Sequence, residues 1–150
     1  MDKHRKGVST NMTNNQRKAD RYLQQIRNAD KEINEMILQI DYLRYKASGA
    51  GAIRYDKDRV MTSPEDMMCE AVTEAVALER QLSSRHKELL KMREHAENVI
   101  SIWNNNKGAF IDSYYLSHRS MIDTARYLGC SDRNTYFIKL KALEAFAKHL

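Results

Sequence analysis

The sequence predicts an all-α protein that joins a long antiparallel helical hairpin to a small C-terminal helix-turn-helix domain. The 150 residues include only five Gly and one Pro, fewer turn-forming residues than a β-sandwich requires. Charged residues make up 30% and the mean hydropathy is −0.70, values typical of long solvent-exposed helices. Apolar residues also recur at alternating steps of four and three along two long segments, which is the coiled-coil pattern.

These observations divide the chain into three predicted parts. Residues 1–15 are expected to form a flexible basic arm, and residues 16–103 a coiled-coil hairpin with a flexible connector at 47–62. Residues 104–150 are expected to form the helix-turn-helix domain.

The first long helix has a recognisable start and end. Thr13 and Gln16 have the spacing of a capping box. The alternating apolar stripe that follows consists of Tyr22, Ile26, Ala29, Ile33, Met36, Ile40 and Leu43. The Ala-Ser-Gly-Ala-Gly-Ala run from Ala47 ends the pattern and begins the connector.

The second long helix begins with a clearer signal. Ser63 can cap it, Pro64 suits its first position, and two acidic residues follow. Its apolar stripe consists of Ala71, Ala75, Leu78, Leu82, Arg85, Leu89, Met92, Ala96, Val99 and Trp103. Arg85 alone interrupts the stripe, and two interpretations stand: it sets register or partner number, or its alkyl stem crosses the stripe to reach water.

An isolated helix pair buries only a narrow stripe on each helix, so we expect additional burial by self-association or by docking of the C-terminal domain. The predicted oligomerisation residues belong to the two stripes: Ile26, Ile33, Ile40, Leu78, Leu82 and Leu89. A single continuous intermolecular coiled coil is the alternative to a hairpin.

The C-terminal part contains a second kind of pattern. A polar Asn-rich run at 104–106 predicts a break, and a short helix is expected around 110–116. Ser120 and Ser131 can each cap a further helix, and Gly129 lies where a helix C-terminus needs a left-handed residue.

This spacing is that of a helix-turn-helix. Ala125 would let the two helices approach, and Thr135 and Ile138 would pack the second helix on the first. The residues left off the packing face are Asp132, Arg133, Asn134, Tyr136, Phe137 and Lys141. Arg and Asn near the start of such a helix are the residue types that bind guanine and adenine edges.

The residues around this unit supply further candidates. The predicted phosphate contacts are Arg119, Arg126, Lys139 and Lys141. The alternative for Arg119 and Arg126 is a solvated surface position without a phosphate contact. Phe137 is predicted either to touch a thymine methyl group or to pack on a neighbouring helix.

The segment Ser120–Leu143 resembles region four of bacterial sigma factors, through Ala125, the Leu-Gly-x-Ser sequence at 128–131 and the Ala142-Leu143 pair. The longer layout resembles the ArpU/RinA-like family of phage and prophage transcription regulators. That resemblance implies a sequence-specific DNA-binding regulator, an activator of late or packaging genes. The final helix departs from the sigma pattern, which usually has Arg, Glu and Gln where this chain has Asp132, Arg133, Asn134, Tyr136 and Phe137.

The charge distribution favours a polyanionic partner. The net charge is +5, with a balance of +4 over residues 1–18, −2 over 19–103 and +3 over 104–150. Basic ends suit nucleic acid, because affinity for it comes largely from neutralised phosphates. A soluble basic protein without such a partner is the alternative.

Other function classes find little support in the sequence. It contains no Gly-rich phosphate loop, no metal-spaced His/Cys set and no nucleophile elbow, so we expect neither an enzyme nor a cofactor. No apolar run is long enough to span a membrane. Cys69 and Cys130 are expected to be reduced thiols in the cytoplasm of a bacterial host.

Three hypotheses for function therefore remain. The favoured one is the DNA-binding regulator, acting as a dimer or higher oligomer on repeated half-sites. The second is a small terminase-like packaging subunit, a class that also joins a helix-turn-helix to coiled helices and forms rings. The third is a sigma-like module that binds RNA polymerase without contacting bases.

Overall fold

A computed structural model describes residues 12–49 and 64–150. Within these ranges the regular elements are helices, and no strand occurs in them, which confirms the predicted all-α class. The elements are α1 (Asn14–Arg27), α2 (Ala29–Ala47), α3 (Pro64–Ser101), α4 (Asn106–Ile111), a π-helical segment (Asp112–Leu116), α5 (Met121–Leu128) and α6 (Asp132–Ala147). Most of the predicted arm, most of the connector and the Ser63 cap lie outside the described residues.

The chain divides into two compact units at positions that differ from the predicted boundary at 103/104. The first unit combines the chain up to Asn28 with Leu89–Leu150, and the second consists of Ala29–Glu88. The end of the predicted coiled coil therefore belongs to the same unit as the C-terminal helices. The physical reason is burial, since Leu23, Ile26 and Ala96 are at most 2% exposed in the first unit.

The first predicted helix is interrupted at Asn28. Thr13 forms the expected capping box with Gln16 and begins α1. Asn28 then adopts φ −91° and ψ 4°, and its N–H donates to the carbonyls of Gln24 and Ile26. The uninterrupted helix predicted across residues 22–43 is wrong at this point, because the apolar steps continue unchanged through Asn28 and give no sign of the break.

In the second unit, α2 lies beside the first part of α3. Arg85 Nε donates to Glu32 at 2.8 Å, and Arg44 pairs with Glu79. The lower-numbered residue of α2 meets the higher-numbered residue of α3, so the two segments run antiparallel. Arg85 also bonds to Glu88. It therefore meets a carboxylate of the neighbouring helix and does more than extend past the stripe to water.

The two predicted stripes provide inward-facing positions in both units. Each of their residues is buried or half-buried, and the most enclosed are Ile26, Ile40, Leu43, Ala71, Ala75, Leu89, Met92, Ala96 and Val99. Of the six predicted oligomerisation residues, Ile26, Ile40 and Leu89 are thus covered within a single chain. Ile33, Leu78 and Leu82 are half-buried. The predicted role of these six residues in contacts between chains stays a prediction.

The core of the first unit is aromatic. Phe110, Tyr115 and Phe146 are fully buried. The ring of Tyr22 on α1 lies 5.8 Å from that of Phe146 on α6 and 6.1 Å from that of His95 on α3. Helices distant in sequence are therefore joined around one cluster.

The predicted break at the Asn-rich run is present. The Asn105 side chain caps α4 by accepting from the N–H groups of Lys107 and Gly108. Gly108 is buried, and a Cβ there would lie 3.0 Å from the Trp103 carbonyl oxygen, so the close approach of this turn favours glycine. Among the described residues, no helix has an apolar stretch of the length needed to cross a bilayer.

Candidate nucleic-acid interface

The turn between α5 and α6 is closed by backbone hydrogen bonds of the Schellman type. Gly129 has φ +67°, its N–H donates to the Arg126 carbonyl at 3.1 Å, and the Cys130 N–H donates to the Ala125 carbonyl at 3.0 Å. These two bonds satisfy carbonyls that the end of α5 would leave unpaired. The left-handed residue predicted at 129 is therefore present, and it sets the direction in which the chain enters α6.

Serine caps begin both helices of this unit. Ser120 Oγ accepts from the Asp123 N–H at 3.1 Å, and Ser131 Oγ accepts from the Asn134 N–H at 3.2 Å. Thr135 is fully buried and its hydroxyl donates to the Ser131 carbonyl at 2.8 Å. Ala125 is 3% exposed. The small residue and the inward-facing threonine thus occupy the packing positions expected of them, and Ile138 is half-buried.

One side of α6 faces solvent from Arg133 to Lys141. Arg133, Phe137 and Lys141 are exposed and follow one another at steps of four, with Asn134 exposed beside them. We call these four residues the exposed α6 stripe. Asp132, in the first turn, is also exposed. Five of the predicted DNA-binding residues of α6 are therefore accessible from outside the molecule.

Lys139 is not part of this stripe. At 3.6 residues per turn it lies on the opposite side of α6. It is half-buried, with Nζ 5.6 Å from the centre of the Tyr114 ring. Helical geometry directs Lys139 toward the π-helical segment and away from the stripe, and its predicted contact with phosphate stays a prediction. Tyr136 is also half-buried, at the flank of the stripe.

The aromatic residue of the stripe remains accessible. Phe137 is 39% exposed, and the Arg133 guanidinium carbon lies 5.8 Å from the centre of its ring. Phe137 therefore does not bury itself against another helix of this chain. Its ring and the neighbouring guanidinium offer an apolar and a cationic group side by side.

Arg119 precedes α5 and Arg126 lies in its last turn, and both are exposed. The Arg119 guanidinium carbon lies 4.6 Å above the centre of the Tyr127 ring, and its Nη1 is 3.4 Å from Ser113 Oγ. Arg119 is thus held by stacking at the start of α5. Ile122 and Tyr127, at 58% and 59%, are exposed on the same helix.

Two arginines from other helices fix the segment that precedes α5, and sequence reasoning missed both. Arg27 Nη1 donates to the Tyr114 carbonyl and, at 2.8 Å, to the Arg119 carbonyl, and its guanidinium carbon lies 4.1 Å from the centre of the Tyr114 ring. Arg93 Nη1 donates to the Leu116 carbonyl at 3.0 Å. Cations at carbonyls of a helix end are stabilising. For Arg27 the sequence signal is a base in the last turn of α1, and this signal does not identify the carbonyls to which Arg27 binds.

Two buried polar contacts complete this support. The Tyr115 hydroxyl donates to Asp20 at 2.6 Å. Burial raises the pKa of Tyr115 well above its usual range, and the hydrogen bond to the Asp20 carboxylate raises it further. Ser113 and Thr124 share a hydrogen bond of 3.2 Å in the interior. The π-helical segment is thereby tied to α1 and to α5.

The described residues offer nothing that would hold a metal ion: no group of three or more His, Cys, Asp or Glu side chains comes together among them. Cys69 and Cys130 are both free thiols. The candidate interface exposes guanidinium, ammonium, amide and aromatic groups, together with the carboxylate of Asp132. Comparison with known proteins adds no family, since the chain matches no family model, no curated protein and no solved structure.

Proposed function

We propose that the protein is a sequence-specific DNA-binding transcription regulator of the phage or prophage type, and that it places α6 in the major groove. The observation that carries this proposal is the exposed α6 stripe, which follows directly on a glycine turn and a serine cap. An α-helix fits the major groove, where each base pair presents a distinct set of donors and acceptors.

The proposed roles follow from the chemistry of each side chain. Arg133 and Asn134, in the first turn of α6, suit bidentate hydrogen bonds to guanine and adenine. Phe137 suits contact with a thymine methyl group. Lys141, one turn further on, and Arg126 on α5 suit phosphate oxygens, to which they would bring charge without base preference.

The first experiment is a selection of DNA sites. Purified protein is incubated with sheared host and prophage DNA at about 150 mM salt, near physiological ionic strength, and the retained fragments are sequenced. The proposal expects enrichment of one or a few intergenic sites with repeated half-sites. Retention without an enriched sequence, or no retention, contradicts it.

Single substitutions then test the roles on the selected site. Arg133→Ala is expected to cost about 1–3 kcal/mol of binding free energy and to relax the preference at one base pair. Lys141→Ala is expected to weaken specific and random duplexes alike. Lys87, exposed on α3, is the matched control, since Lys87→Ala removes the same charge from a helix outside the proposed interface. Equal losses on both duplexes for Arg133→Ala and Lys141→Ala would contradict the assignment.

The regulator is proposed to act as a dimer or higher oligomer through the second unit. An apolar stripe distinct from the one predicted remains exposed there: Leu38, Tyr42 and Tyr45 follow at steps of four and three on α2, and are 55–68% exposed. Val72 and Val76 are exposed on α3 at 50% and 41%. Two helices enclose little core by themselves, and a second copy would complete a four-helix arrangement.

Light scattering on the native chain and on Leu38→Glu with Tyr42→Glu tests this part. The native chain is expected to be oligomeric and the variant monomeric. Glu35→Gln with Asp41→Asn, a pair of exposed polar changes on the same helix, is the control and should leave the oligomer intact. A monomeric native chain would contradict the proposal, and a closed ring of many subunits would favour the packaging subunit.

A second candidate function is favoured by one observation. Ile122, Tyr127 and Phe137 expose apolar surface on α5 and α6, and exposed apolar groups at a helical surface suit a protein partner. On this alternative the unit binds RNA polymerase without contacting bases. Retention of polymerase by the purified protein, together with no retention of DNA, would favour it over DNA recognition.

A further inference from the structure

The first half of α1 carries a concentrated positive charge that the proposed role of α6 does not use. Arg17, Lys18 and Arg21 are all exposed. Together with Asn14, Tyr22, Gln25 and Leu150 they line a groove of about 550 Å³. Three bases within five residues of one helix, along a groove without an acidic lining residue, produce a local positive potential that attracts anions.

Two acidic side chains of this region accept hydrogen bonds from hydroxyl groups. Asp20 on α1 accepts the hydrogen bond of the buried Tyr115 hydroxyl at 2.6 Å. Glu144 on α6 accepts from the Thr13 hydroxyl at 2.9 Å. These carboxylates lower the total charge of the region.

The basic groove belongs to a helix that is packed directly on α6. The Gln16 side chain donates to the Leu140 carbonyl at 3.1 Å, and the contact between Thr13 and Glu144 lies one turn further along α6. The start of α1 therefore lies beside residues 140–144, next to Lys141 at the end of the exposed α6 stripe. Bases from both helices lie in the same unit, and both are available to one extended polyanion.

We propose that Arg17, Lys18 and Arg21 form a second contact surface for the phosphate backbone of double-stranded DNA, beyond the segment contacted by α6. This inference rests on the proposed function, since it names a further part of the same DNA interface. The three bases add affinity that is independent of base sequence and strongly dependent on salt, because each neutralised phosphate releases condensed counterions. The sequence before α1 contains three further bases, Lys3, Arg5 and Lys6.

The test measures binding of a random-sequence duplex and of the selected site at several salt concentrations. The test variant combines Arg17→Gln, Lys18→Gln and Arg21→Gln. The control variant combines Arg80→Gln, Lys87→Gln and Lys91→Gln, three exposed bases of α3 that change the net charge equally. Circular dichroism establishes that both variants fold. If either variant does not fold, two smaller changes are compared. One is the pair Arg17→Lys with Arg21→Lys, which conserves the charge, and the other is the single change Lys18→Gln.

The slope of log affinity against log salt concentration is the decisive readout. We expect the test variant to lose about 2–3 units of this slope, at about 0.9 per phosphate contact, while the enriched sequence stays the same. The control variant should keep the native slope, and the charge-conserving variant should keep it as well. Equal slopes for the test and control variants would overturn the inference.

The outcomes separate this inference from the proposed function. An enriched site with an unchanged slope in the test variant contradicts the α1 contact alone. A slope that depends on the α1 bases without any enriched site contradicts sequence-specific regulation alone. No binding of duplex DNA by the native chain contradicts both, and tighter binding of single-stranded RNA of the same length contradicts the assignment to duplex DNA.

Discussion

Arg27 holds the segment before α5 in place through the Tyr114 and Arg119 carbonyls and the Tyr114 ring. Charged donors contribute about 1.5–3 kcal/mol per hydrogen bond when the acceptor has no other partner. We expect Arg27→Ala to lower the free energy of unfolding by about 1–3 kcal/mol, measured by urea denaturation. Arg80→Ala, at an exposed position of α3, should change it by less than about 0.5 kcal/mol. Similar small effects for both would contradict the bridging role.

Tyr115 makes stability depend on pH in the alkaline range. Its pKa is raised in the folded protein by burial and by the bond to Asp20, while an unfolded tyrosine titrates near about 10. The folded state therefore retains a proton that the unfolded state loses. The contribution of Tyr115 to the free energy of unfolding is complete below the unfolded pKa, and it decreases as the pH rises above that value toward the folded pKa.

The variant Tyr115→Phe isolates this effect. When the pH is raised from about 9 to about 11, it crosses the unfolded pKa of tyrosine near about 10. Over this range the free energy of unfolding of the native chain should fall by about 1 kcal/mol more than that of Tyr115→Phe. Tyr45→Phe changes a tyrosine that is 55% exposed and should follow the native pH dependence. Parallel curves for the native chain and Tyr115→Phe would show that Tyr115 ionises equally in both states.

At the scale of the element, the turn between α5 and α6 is the most specific feature. Gly129 has φ +67°, and a Cβ built there meets no atom within 4 Å. The cost of a side chain is therefore conformational and not steric, at about 1–2 kcal/mol for a left-handed residue. Gly129→Ala should lower the urea midpoint accordingly, and Gly129→Asn should lower it less, because asparagine tolerates this conformation better. An alanine variant as stable as the native chain would contradict the conformational cost of a side chain at position 129.

Helix starts and ends follow from local chemistry to a large extent. The caps at Thr13, Ser120 and Ser131 come from side chains that bond to a backbone N–H three residues later, and Gly129 takes the left-handed conformation because it has no side chain. All four features are local, so the sequence predicts them. The break at Asn28 does not follow in this way. Its neighbours continue the apolar periodicity, and the interruption coincides with the boundary between the two compact units.

At the scale of the whole molecule, the C-terminal helices depend on residues far away in sequence. Leu23 and Ile26 of α1 and Ala96 of α3 complete the core that contains Phe110 and Phe146. We expect a fragment of residues 104–150 to lack a cooperative thermal transition by circular dichroism, because it lacks these packing partners. The native chain, measured identically, should show such a transition. A cooperative transition of the fragment would establish an independent domain with the predicted boundary.

The sequence by itself determined the all-α class, the inward-facing stripes, the helix caps and the composition of the exposed α6 stripe. Each of these depends on spacing within about one or two helical turns, which local chemistry controls. Only the tertiary structure decided that α1 and the end of α3 belong with the C-terminal helices, that Lys139 faces Tyr114, and that Arg27 and Arg93 bind carbonyls of the segment before α5. These contacts join residues separated by up to about a hundred positions, and periodicity identifies the face of a helix that is covered without identifying what covers it.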